Sequence, residues 1–233
     1  MRPMSPTAIA TYGVCPRRYY YRHVIRAPGR TSADAMVGIA LHAALEALHR
    51  PGGDASSASV ALSAQWNPDL FGDSAAASAA RSEADARLSD YLFAWREARP
   101  VLLEALLKAE WDGVSMTGVV DRVDVEEDGS LTLIDYKSGH EAITPEILRQ
   151  LAIYRALVGD RLGRVPDRVA IHHLPTNRRV AVERAPSEWD AILQEALAQA
   201  RAIAADEDFV PRVGAWCDRC DYASRCVAFK RSQ

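Results

Sequence analysis

GVVDRVDVEEDGSLTLIDYKSG, from Gly118 to Gly139, is the stretch whose reading decides the fold. β-Branched residues crowd Val119 to Val125 and again Leu131 to Ile134. Between them, Glu126-Glu127-Asp128-Gly129 is an acidic turn carrying the Asp-Gly signal of a hairpin. A turn centred on Asp128 sets Asp121 opposite Asp135, each seven residues away. Cross-strand neighbours have Cβ atoms roughly 4.5–5.5 Å apart. Two carboxylates that close repel unless a cation sits between them. Lys137, two residues beyond Asp135, shares its face of the strand. Hard oxygen ligands select Mg²⁺ or Mn²⁺. A metal there polarises a phosphate and activates water, and an amine stabilises charge on the phosphoryl oxygens. A plain surface hairpin also accommodates Asp-x-Lys, so the pair alone does not decide the chemistry.

Working outward, Asp34 to His49 reads as an amphipathic helix with Val37, Leu41, Ala44, Leu45 and Leu48 as its core stripe. Gly38, His42 and Glu46 form a neighbouring stripe. Gly38 allows close approach to another element. Thr144 is placed to cap a helix from Pro145 to Gly159, on which Gln150 and Tyr154 share a face. Strands are expected over Leu107–Thr117, Arg168–His173 and Arg179–Glu183, the last two joined by a turn at 175–177. Glu110 is expected at an edge. His172 and His173 face opposite ways and carry no assigned role. A helix capped by Ser187 runs to about Ala205. Residues 51–99 open on a Gly/Ser/Ala-rich loop and continue as two Ala-rich helices broken near 68–73. They form a helical insertion that could cap the active-site groove.

At 233 residues the chain is long enough for one domain with a substantial core. Hydrophobic content of 48% and charged content of 25% are those of a globular protein. No apolar run reaches the length of a membrane span, and the opening lacks a signal-peptide core, which points to the cytoplasm. A net charge of −3 shows no global attraction to nucleic acid. Basic residues concentrate instead in Cys15 to Arg30, with five arginines, three tyrosines and no acids. Arg17, Arg18 and Tyr20 there suit a phosphate backbone with stacked bases, or else a solvated arginine face over buried tyrosines.

The four cysteines are Cys15, Cys217, Cys220 and Cys226. In a cytosolic chain a metal site is favoured over disulfides. C-x₂-C-x₅-C with Cys15 gives one thiolate plus three, where a zinc ribbon usually offers two C-x₂-C knuckles. A four-iron four-sulfur cluster or zinc remains open.

Gly118-x-x-Asp121, the hairpin and Asp135-Tyr136-Lys137-Ser138-Gly139 together resemble the PD-(D/E)XK nucleases, most closely their RecB-like branch. Val120-Asp121 stands where the superfamily's name has Pro-Asp, a departure common in that branch. The opening Ser5…Cys15-Pro16-Arg17 and the terminal cysteines resemble its cluster-bearing members, including the CRISPR-associated small nuclease and the nuclease domains of helicase–nuclease complexes. The resemblance runs from Ser5 to Cys226, leaving out 51–99. It implies an α/β fold with a restriction-endonuclease-like central mixed sheet flanked by helices, as one domain over 1–233. It implies Asp121, Asp135, Tyr136 and His42 at a Mg²⁺ or Mn²⁺ site, Lys137 as the catalytic lysine, and Gln150 and Tyr154 on the substrate side. It further implies a four-iron four-sulfur cluster on the four cysteines, in a segment at about 206–226. The expected activity is a DNA exonuclease on single-stranded ends in repair or recombination. Alternatives are trimming of CRISPR spacer precursors beside adaptation proteins, and an inactive DNA-binding subunit beside a helicase.

Overall fold

The computed structural model describes residues 2–95, 100–139 and 142–230. Its centre is a five-stranded sheet ordered β1 (Pro100–Trp111), β2 (Val114–Val125), β3 (Leu131–Lys137), β4 (Arg168–His173) and β5 (Arg178–Ala181). β3 and β4 run parallel and every other pair is antiparallel. The sheet is therefore mixed, as the sequence led us to expect. The parallel pair needs a crossover, and helix α6 (Pro145–Leu162) supplies it.

Helices cover both faces. On one lie α1 (Pro6–Val14), α6 and α7 (Pro186–Ala205), whose Ile9, Leu151, Leu157 and Leu197 join Val120, Val123 and Leu133 in one core. On the other, α3 (Ala33–His49), α4 (Ala55–Gln65) and α5 (Ser74–Trp95) pack Leu41, Leu45, Leu62 and Leu88 against Ile134 and Tyr136. α2 (Pro16–Tyr19) runs straight into a π-helical turn, Tyr20–Val24. Short turns at Ala215–Arg219 and Ala223–Arg225 lead to α8 (Val227–Lys230).

The β2–β3 hairpin has the expected register. Arg122 pairs with Ile134 and Val125 with Leu131, so Asp121 and Asp135 come one step further on. Gly129 at φ +77 closes the turn, its N–H donating to Glu126 O at 3.0 Å. That is a left-handed position glycine takes at little cost.

Three local expectations are corrected. The strand expected over Leu107–Thr117 is two strands, because Asp112-Gly113 reverses the chain with both residues at positive φ. The helix expected to end at Gly159 continues to Leu162 and is capped by Gly163 at φ +72. Gly159 instead lies against Val165, whose Cγ1 is 2.7 Å from where a Cβ would stand. Ser187 is inside α7, not its cap. Pro186 takes the first helical position and Glu188 accepts the Ala185 N–H at 2.7 Å. Within 51–99 two helices and the break at Pro68–Leu70 appear as expected, but the loop expected over 51–59 turns helical at Ala55, where Asp54 caps α4 by accepting the Ser57 N–H; residues 96–99 lie outside the described residues.

Candidate active site

The site forms where β1, β2 and β3 all carry an acid at the same level. Leu103 pairs with Arg122 and Ala105 with Val120, so Glu104 stands opposite Asp121, and Asp121 stands opposite Asp135. Side-chain alternation slips at this level. Along β2, Val114, Met116 and Val120 enter the α6-side core at even positions, and then Val123 enters it at an odd one. Along β1, Leu102 packs on that core at an even position, and Ala105 and Leu107 at odd ones. Glu104 carries the local distortion, at φ 41. A non-glycine residue held in the left-handed region of a strand is strained by roughly 1–3 kcal/mol, and such strain concentrates at functional sites.

α3 brings His42 over this row. Its Nδ1 lies 3.0 Å from Glu104 Oε1 and 3.7 Å from Asp121 Oδ1. α3 can come so close because Gly38 faces the end of β3, where an added Cβ would meet Ser138 Oγ at 3.0 Å. His42, Glu104 and Asp121 each place a ligand atom within 4.8 Å of the others. Asp121 Oδ2 also accepts the Tyr136 backbone N–H at 2.7 Å, which fixes the carboxylate against β3.

Asp135 and Lys137 complete the row. Lys137 Nζ lies 2.6 Å from Asp135 Oδ2 and donates to Gln150 Oε1 at 2.9 Å. Gln150 Nε2 in turn donates to Tyr154 OH at 3.0 Å. Tyr154 reaches the sheet because residue 118 is glycine, where a Cβ would fall 2.6 Å from its ring. The two residues placed on α6 by their spacing thus hold the lysine against its aspartate.

Electrostatics mark the row as an anion cluster. Burial, then the neighbouring Asp135 charge, pushes the Asp121 pKa up to about 7, against the pull of His42. Burial also raises Asp135, with Lys137 pulling the other way. For His42, burial opposes a charge, yet the Glu104 hydrogen bond and the charges of Asp121, Glu104 and Asp135 outweigh it and raise the pKa to about 9. Asp135 is 1% exposed and neither carboxylate oxygen accepts a well-aligned hydrogen bond among the described residues. Buried oxygens with free lone pairs beside two further carboxylates and an imidazole suit a hard divalent cation.

Tyr136 meets the site through its main-chain N–H on Asp121 and through its ring, which packs edge-on against the His42 imidazole at 5.7 Å between centroids. Its phenol enters a separate buried network. Arg122 donates to Tyr136 OH at 3.2 Å and Tyr91 OH at 2.5 Å and pairs with Asp124, while His49 Nε2 lies 2.9 Å from Arg122 Nη1. Glu110, weighed as an edge carboxylate, is exposed. Glu104 is the site acid that sequence reasoning missed. The available signal was a lone acid within an apolar run, Val101-Leu-Leu-Glu104-Ala-Leu-Leu107.

The N-terminal motif residues gather elsewhere. Arg17 donates to Asp208 O at 3.1 Å and lies over the Tyr20 ring, which meets Phe209. Arg18 pairs with Asp221 at 3.4 Å. All three face the C-terminal segment. Cys15, Cys217, Cys220 and Cys226 line one cavity beneath Trp216 and Tyr222. The cysteines are free thiols, and the Arg212 N–H donates to Cys15 Sγ at 3.4 Å.

Residues 3–227 match the family profile of the PD-(D/E)XK nuclease superfamily. The chain belongs to that superfamily. As a nuclease of this group it acts on nucleic acid and uses divalent metal, for which the carboxylate row is the candidate site. Among solved structures it is similar to a Eubacterium rectale protein described as a "putative exonuclease", at 16% identity and a TM-score of 0.58, covering 99% of this chain and 88% of that one. It is also similar to SSO0001, at 16% identity and a TM-score of 0.46, covering 97% of this chain and 86% of that one. No curated protein matches it. No helix among the described residues is long and apolar enough to cross a membrane.

Proposed function

We propose that this nuclease is a Mg²⁺- or Mn²⁺-dependent DNA exonuclease acting on single-stranded ends. The observation that carries this is the row Glu104–Asp121–Asp135 with His42 above it and Lys137 held 2.6 Å from Asp135. His42, Glu104, Asp121 and Asp135 are the residues to hold the metal, with the Tyr136 main chain beside them. A divalent ion held there would supply Lewis-acid polarisation of the scissile phosphate and activation of the attacking water. Hydrolysis then forms one phosphorus–oxygen bond from water and breaks the one to the leaving sugar oxygen, which takes up a proton. Lys137 offsets the charge that grows on the phosphoryl oxygens. Gln150 and Tyr154 keep the ammonium aimed at the row instead of at solvent. An open groove between α3 and the end of α4, lined by Asp34, Ile39, His42, Gln65 and Glu104, gives a strand access. Of the helical insertion, the end of α4 borders that groove through Gln65.

The exonuclease assignment accords with the description of the Eubacterium rectale protein. The cysteine cavity fits a four-iron four-sulfur cluster better than zinc. Its four cysteines line one cavity, yet among the described residues no three sulfurs lie within 4.8 Å of one another. A tetrahedral zinc, with zinc–sulfur distances of about 2.3 Å, draws its sulfurs to within about 3.8 Å.

The test is end-labelled single- and double-stranded DNA with Mg²⁺ or Mn²⁺, comparing wild type with Asp135→Ala. We expect progressive shortening of single strands by wild type alone. Cleavage that survives EDTA, or persists in the variant, overturns the assignment of this site.

A further inference from the structure

A second basic feature lies apart from the carboxylate row. Arg2, Ser5, Tyr19, Arg22, His23 and Arg26 line a cavity of about 290 Å³ at the start of α1. No acid lines it, and none of its three guanidiniums has a hydrogen-bond or ion-pair partner among the described residues. Elsewhere among the described residues seven arginines pair with a carboxylate, Arg18, Arg81 and Arg168 among them. Three left unanswered around one cavity concentrate positive potential there. His23 also lines it, with its ring stacked on Tyr19 and its Nε2 buried without a partner among the described residues.

The backbone is bent to bring these groups together. Tyr20–Val24 is a π-helical turn, a rare form that is frequently found at functional sites. Arg26 follows at φ 50, and the Ala27 N–H reaches back to Tyr21 O at 2.8 Å. Glycine is the usual residue at such a left-handed helix end. An arginine there is strained by roughly 1–2 kcal/mol, and nothing else in the fold uses its side chain.

From these observations we infer that the Arg2–Arg22–Arg26 cavity binds a phosphate group of the nucleic-acid strand, distinct from the phosphate being cleaved. This rests on nucleic acid being the substrate. Met4, beside the cavity, is bonded to β2 on both sides, through Ser115 O at 2.8 Å and Thr117 N at 2.7 Å. Thr117 is four residues from Asp121, about 13 Å along a strand rising ~3.3 Å per residue. A strand seated at the carboxylates reaches the cavity within a few nucleotides. Guanidiniums grip phosphate by paired charge-assisted hydrogen bonds without reading sequence.

The test is binding of fluorescent single-stranded oligonucleotides in EDTA, so that the metal site takes no part. Arg22→Ala and Arg26→Gly are the variants. Both side chains are exposed, and glycine keeps the turn at residue 26. Arg201→Ala, an exposed arginine on α7, is the charge-matched control. Each cavity variant should weaken binding about tenfold, as loss of a charge-assisted hydrogen bond does. Each should also flatten the dependence of log K on log salt by about 0.7, the value for one single-strand phosphate contact. The control should do neither. Equal loss in the control, or unchanged affinity and slope in both cavity variants, overturns the inference while leaving the nuclease assignment intact. A wild type that binds no oligonucleotide overturns both together. Comparing 5′-phosphorylated, unphosphorylated and circular strands tells a terminal phosphate from an internal one. A loss confined to the phosphorylated end identifies the first, and an equal loss on the circle identifies the second.

Discussion

Asp135 and Lys137 are the residues on which the chemistry most depends. Asp135 is almost fully enclosed, and Lys137 is its one ion-pair partner within 4 Å among the described residues. Neither fills the hydrophobic core. Asp135→Ala and Lys137→Ala should each lower DNA cleavage by roughly 10²–10³-fold or more, the scale of losing one preorganised electrostatic group. Circular dichroism melts should show both variants folded. Full activity in either one under Mg²⁺ or Mn²⁺ sinks the assignment. Glu104 calls for a different measurement. Glu104→Gln keeps the shape and removes the charge, so cleavage should need more metal, and the titration midpoint should rise by about tenfold or more for one lost ligand charge. His42→Ala should shift that midpoint in the same direction. An unchanged midpoint for both would leave the histidine–carboxylate trio without a metal role. The sequence could place Asp121 and Asp135 because a hairpin centred on Asp128 sets them opposite each other. It could not place Glu104. That residue depends on pairing between β1 and β2, and on a reversal at Asp112-Gly113 hidden within what reads as one strand.

At the scale of elements, two glycines decide how closely helices meet the sheet. Gly38 seats α3, as its spacing from His42 suggested. Gly118 seats α6, and an added methyl there must displace the Tyr154 ring and the Leu157 side chain. Gly118→Ala should cost about 1–3 kcal/mol through overpacking. It should also lower kcat, because Tyr154, Gln150 and Lys137 are linked in series. A thermal melt beside steady-state cleavage checks both, and a variant that melts lower but cleaves at the wild-type rate would break the proposed linkage. α5 is tied to the sheet by chemistry the sequence did not disclose. Its Ala-rich segment contains no cluster of its own, yet Tyr91 OH meets Tyr136 OH at 2.8 Å and His49 Nε2 at 2.8 Å around Arg122. These residues are far apart in the chain, so no local pattern joins them. Arg122→Ala leaves the Asp124 carboxylate buried and unpaired, and should cost roughly 3–5 kcal/mol in urea unfolding. The double change Arg122→Met with Asp124→Leu should recover much of that, since matched apolar replacement of a buried pair is often close to neutral.

At the scale of the whole molecule, the two ends of the chain are brought together, and the cysteine spacing foretold it. Cys15 and Cys217 are about 200 residues apart. The C-terminal segment is already stitched to the N-terminal helices by polar contacts: Tyr12 OH to Asp206 at 2.7 Å, Arg212 to Gly13 O at 2.6 Å, and Tyr222 OH to Ala27 O at 3.2 Å. The Arg212 contact is exposed and the other two are half-buried, and each such hydrogen bond contributes only about 1 kcal/mol net. A cluster bonded to all four thiols would act as a covalent clip. Closing a loop of that length is worth about 5 kcal/mol by the chain-entropy estimate for a cross-link. Binding energy for a site absent from the unfolded chain also becomes folding energy. Cys226→Ala should therefore lower the thermal midpoint by roughly 10 °C or more and reduce solubility. It should also loosen α1 and the Arg22–Arg26 turn, so DNA binding should fall with stability. The carboxylate row does not touch the cysteines, so the folded fraction should keep its metal dependence. Wild type purified without oxygen should be brown, with the broad visible absorbance of thiolate-bound iron, and the variant should be colourless. A colourless wild type holding one zinc per chain reassigns the cavity to zinc. A wild type that is stable with no metal on its thiols shows that the polar stitching alone holds the ends together.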